Sequence, residues 1–187
     1  MEKYLFNPER TFFTSDTHFY HESIIKFCNR PFDSVEDMNE KLIENWNSVV
    51  GKKDNVFHLG DFCFGGANKW NKIINRLNGK IYLILGNHDM KNYNEKSLGK
   101  FKQVETQMII NIQKQKIILN HYPFLCYPGS YNNDLQFFGH VHTCKNGSTG
   151  VDTPRLEHLL KTQYDVGVDN NDYKPVNFLQ IKNIINN

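Results

Sequence analysis

Side chains able to bind metal ions stand in five short segments spread along the chain. The segments are Asp16-Thr17-His18, Gly60-Asp61, Gly86-Asn87-His88-Asp89, Asn120-His121 and Gly139-His140-Val141-His142. Their carboxylate, amide and imidazole groups can bind divalent transition metals, and the segments contain no cysteine thiolate. There are enough donors for two ions, so the sequence predicts a dinuclear metal site.

Each of these segments follows an apolar run of the kind that forms a buried strand. The runs are Thr11–Phe13, Val56–Leu59, Ile81–Leu85, Ile117–Leu119 and Leu135–Phe138. The donors are therefore expected at strand-to-loop turns, where open α/β folds place their active sites. A single Asp-x-His would be weak support, but five such segments in order make a much more specific pattern.

The ordered set resembles the calcineurin-like metallophosphoesterases, whose signature runs D-x-H, G-D, G-N-H-[DE], H and G-H-x-H. The resemblance spans Phe12 to His142 and is strongest to small single-domain bacterial and phage phosphoesterases. Two further stretches support that subgroup, the run from Ile24 to Phe32 and the triplet Gly167-Val168-Asp169. The resemblance implies an α/β fold, a four-layer αββα sandwich of two mixed β-sheets flanked by helices, with the dimetal site at one edge.

The resemblance also implies how the ligands divide between the two metals. The first metal would take Asp16, His18, Asp61 and His142, and the second would take Asp61, Asn87, His121 and His140. Asp61 is the natural bridge, since only a carboxylate can join two cations while cancelling part of their repulsion. A two-residue step along extended chain would put His140 and His142 on one face, with Val141 turned away.

His88 resembles the family's catalytic histidine. It is expected to protonate the leaving oxygen during in-line attack by a metal-bridging hydroxide, with Asp89 orienting its ring. The alternative is that His88 only supports the structure. Weaker candidates for binding the substrate are Asn87, His21 and Arg30, the last because a guanidinium suits phosphate oxygens.

The donor set does not select one metal. We expect Mn²⁺ to support activity in vitro, with Fe²⁺, Zn²⁺ and Ni²⁺ as alternatives. Cys63 and Cys144 follow ligand segments closely and could bind zinc, but free thiols are the favoured interpretation because the other donors already complete the sites.

Several reactions fit this pattern. The favoured one is hydrolysis of small phosphate esters, above all nucleotide-type phosphodiesters, cyclic nucleotides included. The alternatives are a phosphomonoesterase or nuclease of the same family, and a non-catalytic metal-binding scaffold. A protein serine/threonine phosphatase is disfavoured, since the run from Gly60 to Gly66 lacks the arginine of that branch.

Composition sets wider limits. The chain has 187 residues and a net charge of +2, which suits one domain over residues 1–187. Its lysines are scattered, so no strong nucleic-acid patch is expected, and a homo-oligomer stays open. The N-terminal residues lack the apolar core of a signal peptide, and no run is long enough to span a membrane, so we expect a cytoplasmic protein.

Periodicity predicts the elements around the site. Apolar residues at spacings of three and four predict a helix that Asp33 or Ser34 can cap and that ends at Gly51, and shorter helices are expected over 21–29 and 68–77. Their alternation with strands implies parallel pairing. A hairpin is predicted over 107–120. Residues 143–164 look like an insertion near the active site that either sets specificity or is a plain surface excursion.

Overall fold

The structure is a computed structural model that describes residues 6–92, 100–144, 147–148 and 156–187. Its strands are β1 (Thr11–Thr14), β2 (Asn55–His58), β3 (Lys80–Ile84), β4 (Gln103–Glu105), β5 (Gln107–Ile112), β6 (Gln115–Asn120), β7 (Leu135–Phe138), β8 (Thr143–Cys144), β9 (Gly147–Ser148), β10 (Gln163–Asp165) and β11 (Val176–Asn177). Its α-helices are α1 (Glu22–Phe27), α2 (Val35–Val49), α3 (Ala67–Ile74), α4 (Asp89–Asn92) and α5 (Phe178–Asn186).

Most of these strands form two mixed sheets. The first has the order β11-β1-β2-β3-β4, in which β1 to β4 run parallel and β11 is antiparallel to β1. The second has the order β10-β7-β6-β5, with a parallel trio and an antiparallel pair at one edge. The expected α/β fold with two mixed sheets and helices is confirmed.

Alternating residues of β1 explain how the layers pack. Phe13 points between the two sheets, where its ring lies 4.8 Å from that of Phe137 and 5.5 Å from that of Phe57, measured between centroids. Phe12, its neighbour, belongs to the other core, which lies between the first sheet and the helices α2 and α3. This period of two lets a single strand contribute to both cores.

Helix α2 confirms the long helix expected from the sequence. Ser34 caps its first turn by accepting the Asp37 N–H at 3.1 Å. Met38, Leu42 and Trp46 follow at four-residue intervals and are buried on the first sheet. The helix therefore braces the parallel strands that carry the first ligand loops.

The second sheet begins with the predicted hairpin, which β5 and β6 form in an antiparallel register. Gln113 and Lys114 make its turn with φ of 50° and 68°. Positive φ at both central residues is the requirement of a two-residue type I′ turn.

Within the described residues, no helix has both the length and the apolar character that crossing a bilayer demands.

Several of the described elements were not predicted, among them β4 and α5. Strand β4 is short and polar, and α5 begins with a capping box in which Asn177 and Gln180 satisfy each other's backbone groups. The expected insertion is only partly described, because residues 145–146 and 149–155 lie outside the described residues. Its final residues, from Gln163, belong to β10 of the second sheet.

Candidate metal centre

The ligand segments meet where the parallel strands of both sheets end. These segments supply two groups of side chains whose donor atoms lie within 4.8 Å of one another. The first cluster contains Asp16, His18 and His142, and the second cluster contains Asp61, His121 and His140. The chain thus brings together residues from four separate segments, in the same division that the resemblance implied.

Asp61 lies between the two clusters. Its Oδ2 atom is 3.6 Å from Nε2 of His18 and 3.6 Å from Nε2 of His121. Its other oxygen, Oδ1, accepts the backbone N–H of His88 at 2.9 Å. One oxygen is therefore held by the backbone while the other faces both clusters, which suits a bridging ligand.

The second cluster presents a histidine nitrogen ready for a metal. Nδ1 of His121 lies 2.7 Å from the carbonyl oxygen of Leu59, to which it can only donate. The tautomer that does so leaves a lone pair on Nε2, 3.1 Å from Oδ1 of Asn87. A cation would satisfy both acceptors, so Asn87 fits the role of a neutral ligand here.

The first cluster rests on a buried ion pair. Nδ1 of His142 lies 2.8 Å from Oδ2 of Asp169, which leaves Nε2 to face the cluster. Arg30 binds both oxygens of Asp169 at 2.8 Å and also donates to the backbone carbonyls of Asp16 and Thr17. Burial lowers the pKa of His142, but the carboxylates of Asp16 and Asp169 outweigh it and raise that pKa to about 11.

This arrangement corrects the expectation for Arg30. Arg30 is 4% exposed, and its guanidinium is fully occupied beneath the ligands, so it supports the first cluster instead of reaching a substrate. Asp169 was missed as a functional residue. The Gly167-Val168-Asp169 triplet was noticed only as a resemblance, and its link to His142 spans 27 residues.

His21, another weak candidate for substrate binding, contacts His18, a candidate metal ligand. Its Nδ1 lies 3.1 Å from Nδ1 of His18, and its ring stacks on Phe64 with centroids 3.8 Å apart. Burial, together with the nearby His88, lowers the pKa of His21 to about 4. A neutral His21 can thus hold the His18 ring by its Nδ1 side.

Unpartnered buried atoms test whether a metal fits. Oδ1 of Asp16 and Nε2 of His18 are both buried without a hydrogen-bond partner. Burial is the main reason that the pKa of His18 lies well below its usual value, followed by the charge of Arg30. An acceptor oxygen and a neutral imidazole that face each other without a donor are the groups a divalent cation would bind.

The backbone at the ligands is unusual. Left-handed conformations with positive φ occur at Asp16 (57°), His18 (51°), Asp61 (56°), His140 (73°) and His142 (47°). Such conformations cost on the order of 1–3 kcal/mol each and concentrate at functional sites. The predicted extended chain at His140 and His142 is therefore wrong. With this backbone conformation, His140 lies in the second cluster and His142 in the first.

Asp89 has a different environment from the one expected. Its carboxylate accepts the backbone N–H groups of Asp61 at 2.7 Å, Phe62 at 2.9 Å and Gly86 at 3.0 Å. Burial is the main reason that its pKa rises to about 7. Asp89 thus ties the loop after β2 to the loop after β3, instead of serving as the orienting group of His88.

His88 lies at the open side of the centre. Its side chain is 37% exposed, and its Nε2 is 3.9 Å from Oδ2 of Asp61. Its ring centroid is 5.5 Å from that of His18. His88 therefore borders both clusters while remaining accessible from solvent.

Close packing explains the glycine before Asp61. Gly60 has a φ of 100°, and an added Cβ would lie 2.6 Å from Nδ1 of His121 and 2.7 Å from the backbone nitrogen of Gly86. Any side chain would push apart the loops that carry the ligands.

The described cysteines differ in their relation to the metal centre. The thiol of Cys63 is buried, and burial, followed by the charge of Asp89, raises its pKa, which opposes the thiolate that zinc would need. The side chain of Cys144 lies outside the described part of the chain. Cys28, which sequence reasoning did not single out, has its sulfur within 4.8 Å of donor atoms of His142 and Asp169.

Comparisons with known proteins show what this chain is similar to. The family model for calcineurin-like phosphoesterases matches residues 9–174. An uncharacterized protein of Methanocaldococcus jannaschii is 35% identical over 178 residues, covering 94% of this chain and 91% of the other. The gene 66 protein of Mycobacterium phage L5 is 28% identical, covering 85% of this chain and 86% of its own. A crystal structure of a protein of unknown function from Aquifex aeolicus has a TM-score of 0.71 and 28% identity, covering 93% of this chain and 98% of the other.

Proposed function

We propose, because this chain belongs to the calcineurin-like phosphoesterase family, that it hydrolyses small phosphodiesters of the nucleotide type. Family membership makes it a metal-dependent phosphoric ester hydrolase, and the substrate class is our proposal. The observation that carries it is the position of Asp61, whose Oδ2 atom is equally distant from a histidine of each cluster, at 3.6 Å.

The two clusters would each hold one divalent cation. The first cation would be bound by Asp16, His18, His142 and Asp61, and the second by Asp61, Asn87, His121 and His140. Bound cations supply charge neutralisation at the phosphoryl oxygens and lower the pKa of water. We propose Mn²⁺ for activity in vitro, because the nitrogen and oxygen donors place no demand for a soft metal.

His88 is proposed to donate the proton that the leaving oxygen needs. Its backbone is fixed to Oδ1 of Asp61, while its ring stays partly exposed beside both clusters. A proton donor must reach the substrate and then recover its proton from solvent, and this position allows both. The role of Asp89 is to hold the turn that carries His88, through its bonds to the N–H groups of Gly86 and Asp61.

The charges around the centre favour a diester. A monoester dianion is commonly gripped by a guanidinium that matches its oxygens. Here the guanidinium of Arg30 lies under the first cluster and is committed to Asp169. A singly charged diester needs less cationic help beyond the two metals, so we favour it over a monoester.

A substrate panel tests this function. The metal-free protein would be reloaded with Mn²⁺ and given aryl phosphates, nucleoside monophosphates, and 2′,3′- and 3′,5′-cyclic nucleotides. We expect turnover of diesters that ceases with EDTA and returns with Mn²⁺. Preferred hydrolysis of monoesters would overturn the diester assignment. Stoichiometric metal without turnover of any ester would indicate a binding scaffold.

A further inference from the structure

An apolar groove opens beside the second cluster. It has a volume of about 390 Å³, and its lining includes His140 of that cluster. Tyr122 and Leu125, from the loop after β6, form one wall, and Leu156 and Leu159 form another. A volume of this size falls within the ~300–1,000 Å³ typical of small-molecule sites.

Tyr122 connects the groove to the metal centre. Its ring meets His140 edge to face, with centroids 4.7 Å apart, and meets His121 in the same way at 4.9 Å. The loop that carries Tyr122 is anchored by buried Gln136, which donates to the Tyr122 carbonyl at 2.9 Å and accepts the Phe124 N–H at 3.0 Å. This wall is therefore set in place before any ligand arrives.

The lining indicates what the groove can bind. Apart from the imidazoles of His140 and His158, its described lining consists of apolar and aromatic residues with no carboxylate or ammonium group. Leu125 is 79% exposed, which leaves apolar surface open to water at the edge of a polar centre. Another phosphate or a bare polyol would lose hydrogen bonds with water on entering. An aromatic ring would bury its two apolar faces there at a smaller cost.

We propose that this groove binds a neutral aromatic ring carried on the ester substituent of the substrate, of which a nucleobase is the biological example. The inference rests on the proposed function, since a phosphodiester held at the clusters can extend its substituent past His140. Tyr122 supplies a ring against which an aromatic group packs edge to face or offset. Leu156 and Leu159 belong to residues 143–164 and line the groove, so the proposal gives that segment a role in substrate choice.

The test keeps the leaving group constant and changes only the other substituent. Three p-nitrophenyl diesters would be compared, bearing methyl, phenyl and 5′-thymidyl groups. We expect kcat/KM to be roughly tenfold or more higher for the phenyl and thymidyl esters than for the methyl ester, as apolar pockets typically discriminate. Leu125→Asp and Leu156→Asn should bring the phenyl-to-methyl ratio towards one.

Leu160→Asn is the matched control, because Leu160 is 44% exposed in the same segment but does not line the groove. It should keep the wild-type ratio. A wild-type ratio near one, or an equal fall for all three esters in the groove variants, would overturn the proposal while leaving phosphodiester hydrolysis intact.

A binding measurement decides the proposal even if no ester is hydrolysed, in which case the proposed function itself fails. Phenylphosphonate and methylphosphonate would be titrated calorimetrically into Mn²⁺-loaded wild type and Leu125→Asp. Phenylphosphonate binding roughly tenfold tighter in wild type, with the difference lost in the variant, supports the groove. Equal affinities in wild type contradict it.

Discussion

The two clusters use similar donors but differ in what surrounds them. Both contain two almost fully buried ligands and one partly exposed histidine, but in the first cluster that histidine, His142, is backed by Asp169 and Arg30. In the second, His140 is half-buried and contributes to the wall of the apolar groove. The difference suggests a division of labour, in which the first cluster is built to retain its metal and the second to meet the substrate.

The strongest way to break this comparison is to remove what the clusters share. Asp61→Asn should nearly abolish hydrolysis and weaken both metals together, because Oδ2 of Asp61 faces both clusters. Elemental analysis after purification would measure the loss, with His121→Ala as a variant that acts mainly on the second site. Loss of a single metal from Asp61→Asn would count against bridging.

His88 lies beside both clusters and tests the chemistry they support. His88→Gln should retain two metals yet lose roughly a hundredfold to ten-thousandfold in rate on nucleotide substrates, whose alkoxide leaving groups need a proton. The loss should be much smaller for p-nitrophenyl esters, because their leaving group, p-nitrophenolate, departs without a proton. An equal loss on both, with metals retained, would show that His88 positions the phosphoryl group instead.

Asp169 sharpens the difference between the clusters. Asp169→Asn should weaken the metal of the first cluster by about 10- to 100-fold, the usual effect of losing a group that orients a histidine ligand. The second metal should keep its affinity. Metal titration of the stripped protein would measure both, with Asp172→Asn, an exposed carboxylate three residues away, as control. Equal weakening of both metals would remove the proposed division.

The smallest effect concerns His58, which lies beneath the loops of both clusters. Nε2 of His58 lies 2.9 Å from Oγ1 of Thr17, and Nδ1 accepts the Gly60 N–H at 3.3 Å. Burial, the main cause, lowers its pKa to about 3. The ordinary pKa of histidine is about 6.5. Between pH values of about 3 and 6.5 the unfolded chain binds a proton at His58 and the folded chain does not, so the free energy of unfolding decreases as the pH is lowered.

Denaturant unfolding of the metal-free protein at pH 7.0 and 5.5 would measure this fall. The contribution from His58 should be about 1 kcal/mol, and His58→Gln should lack it. The contribution of His142, whose pKa is raised, is common to both proteins and cancels in the comparison. If the variant lost as much stability as the wild type between these pH values, His58 would not be held neutral by burial.

Local patterns in the sequence predicted the fold well, and the segments that they singled out meet in the structure. The apolar runs before Asp16 and Asp61 do form neighbouring parallel strands, and the period of α2 identifies its buried face. The residues beneath the ligands could not be found in this way. Arg30 pairs with Asp169 across 139 positions, and a surface arginine at a helix end has the same local sequence as a buried one.

The backbone at the ligands was also beyond prediction. His140-Val141-His142 reads as alternating extended chain, yet both histidines are left-handed. The conformation is imposed by tertiary contacts, such as the bond from the His140 N–H to Oδ2 of Asp16 at 2.8 Å. Side-chain spacing alone contains no signal for it.

Asp16 and Asp61 share one arrangement, in which one oxygen accepts a backbone N–H and the other faces a cluster. Their rotamers are consequently frozen before any ion arrives, so capture of a metal costs little side-chain entropy. The same arrangement makes the length of the acid matter as much as its charge. Glutamate would carry an identical charge, but its extra methylene could not keep both oxygens in register, so the chain discriminates between two equally acidic side chains by geometry alone.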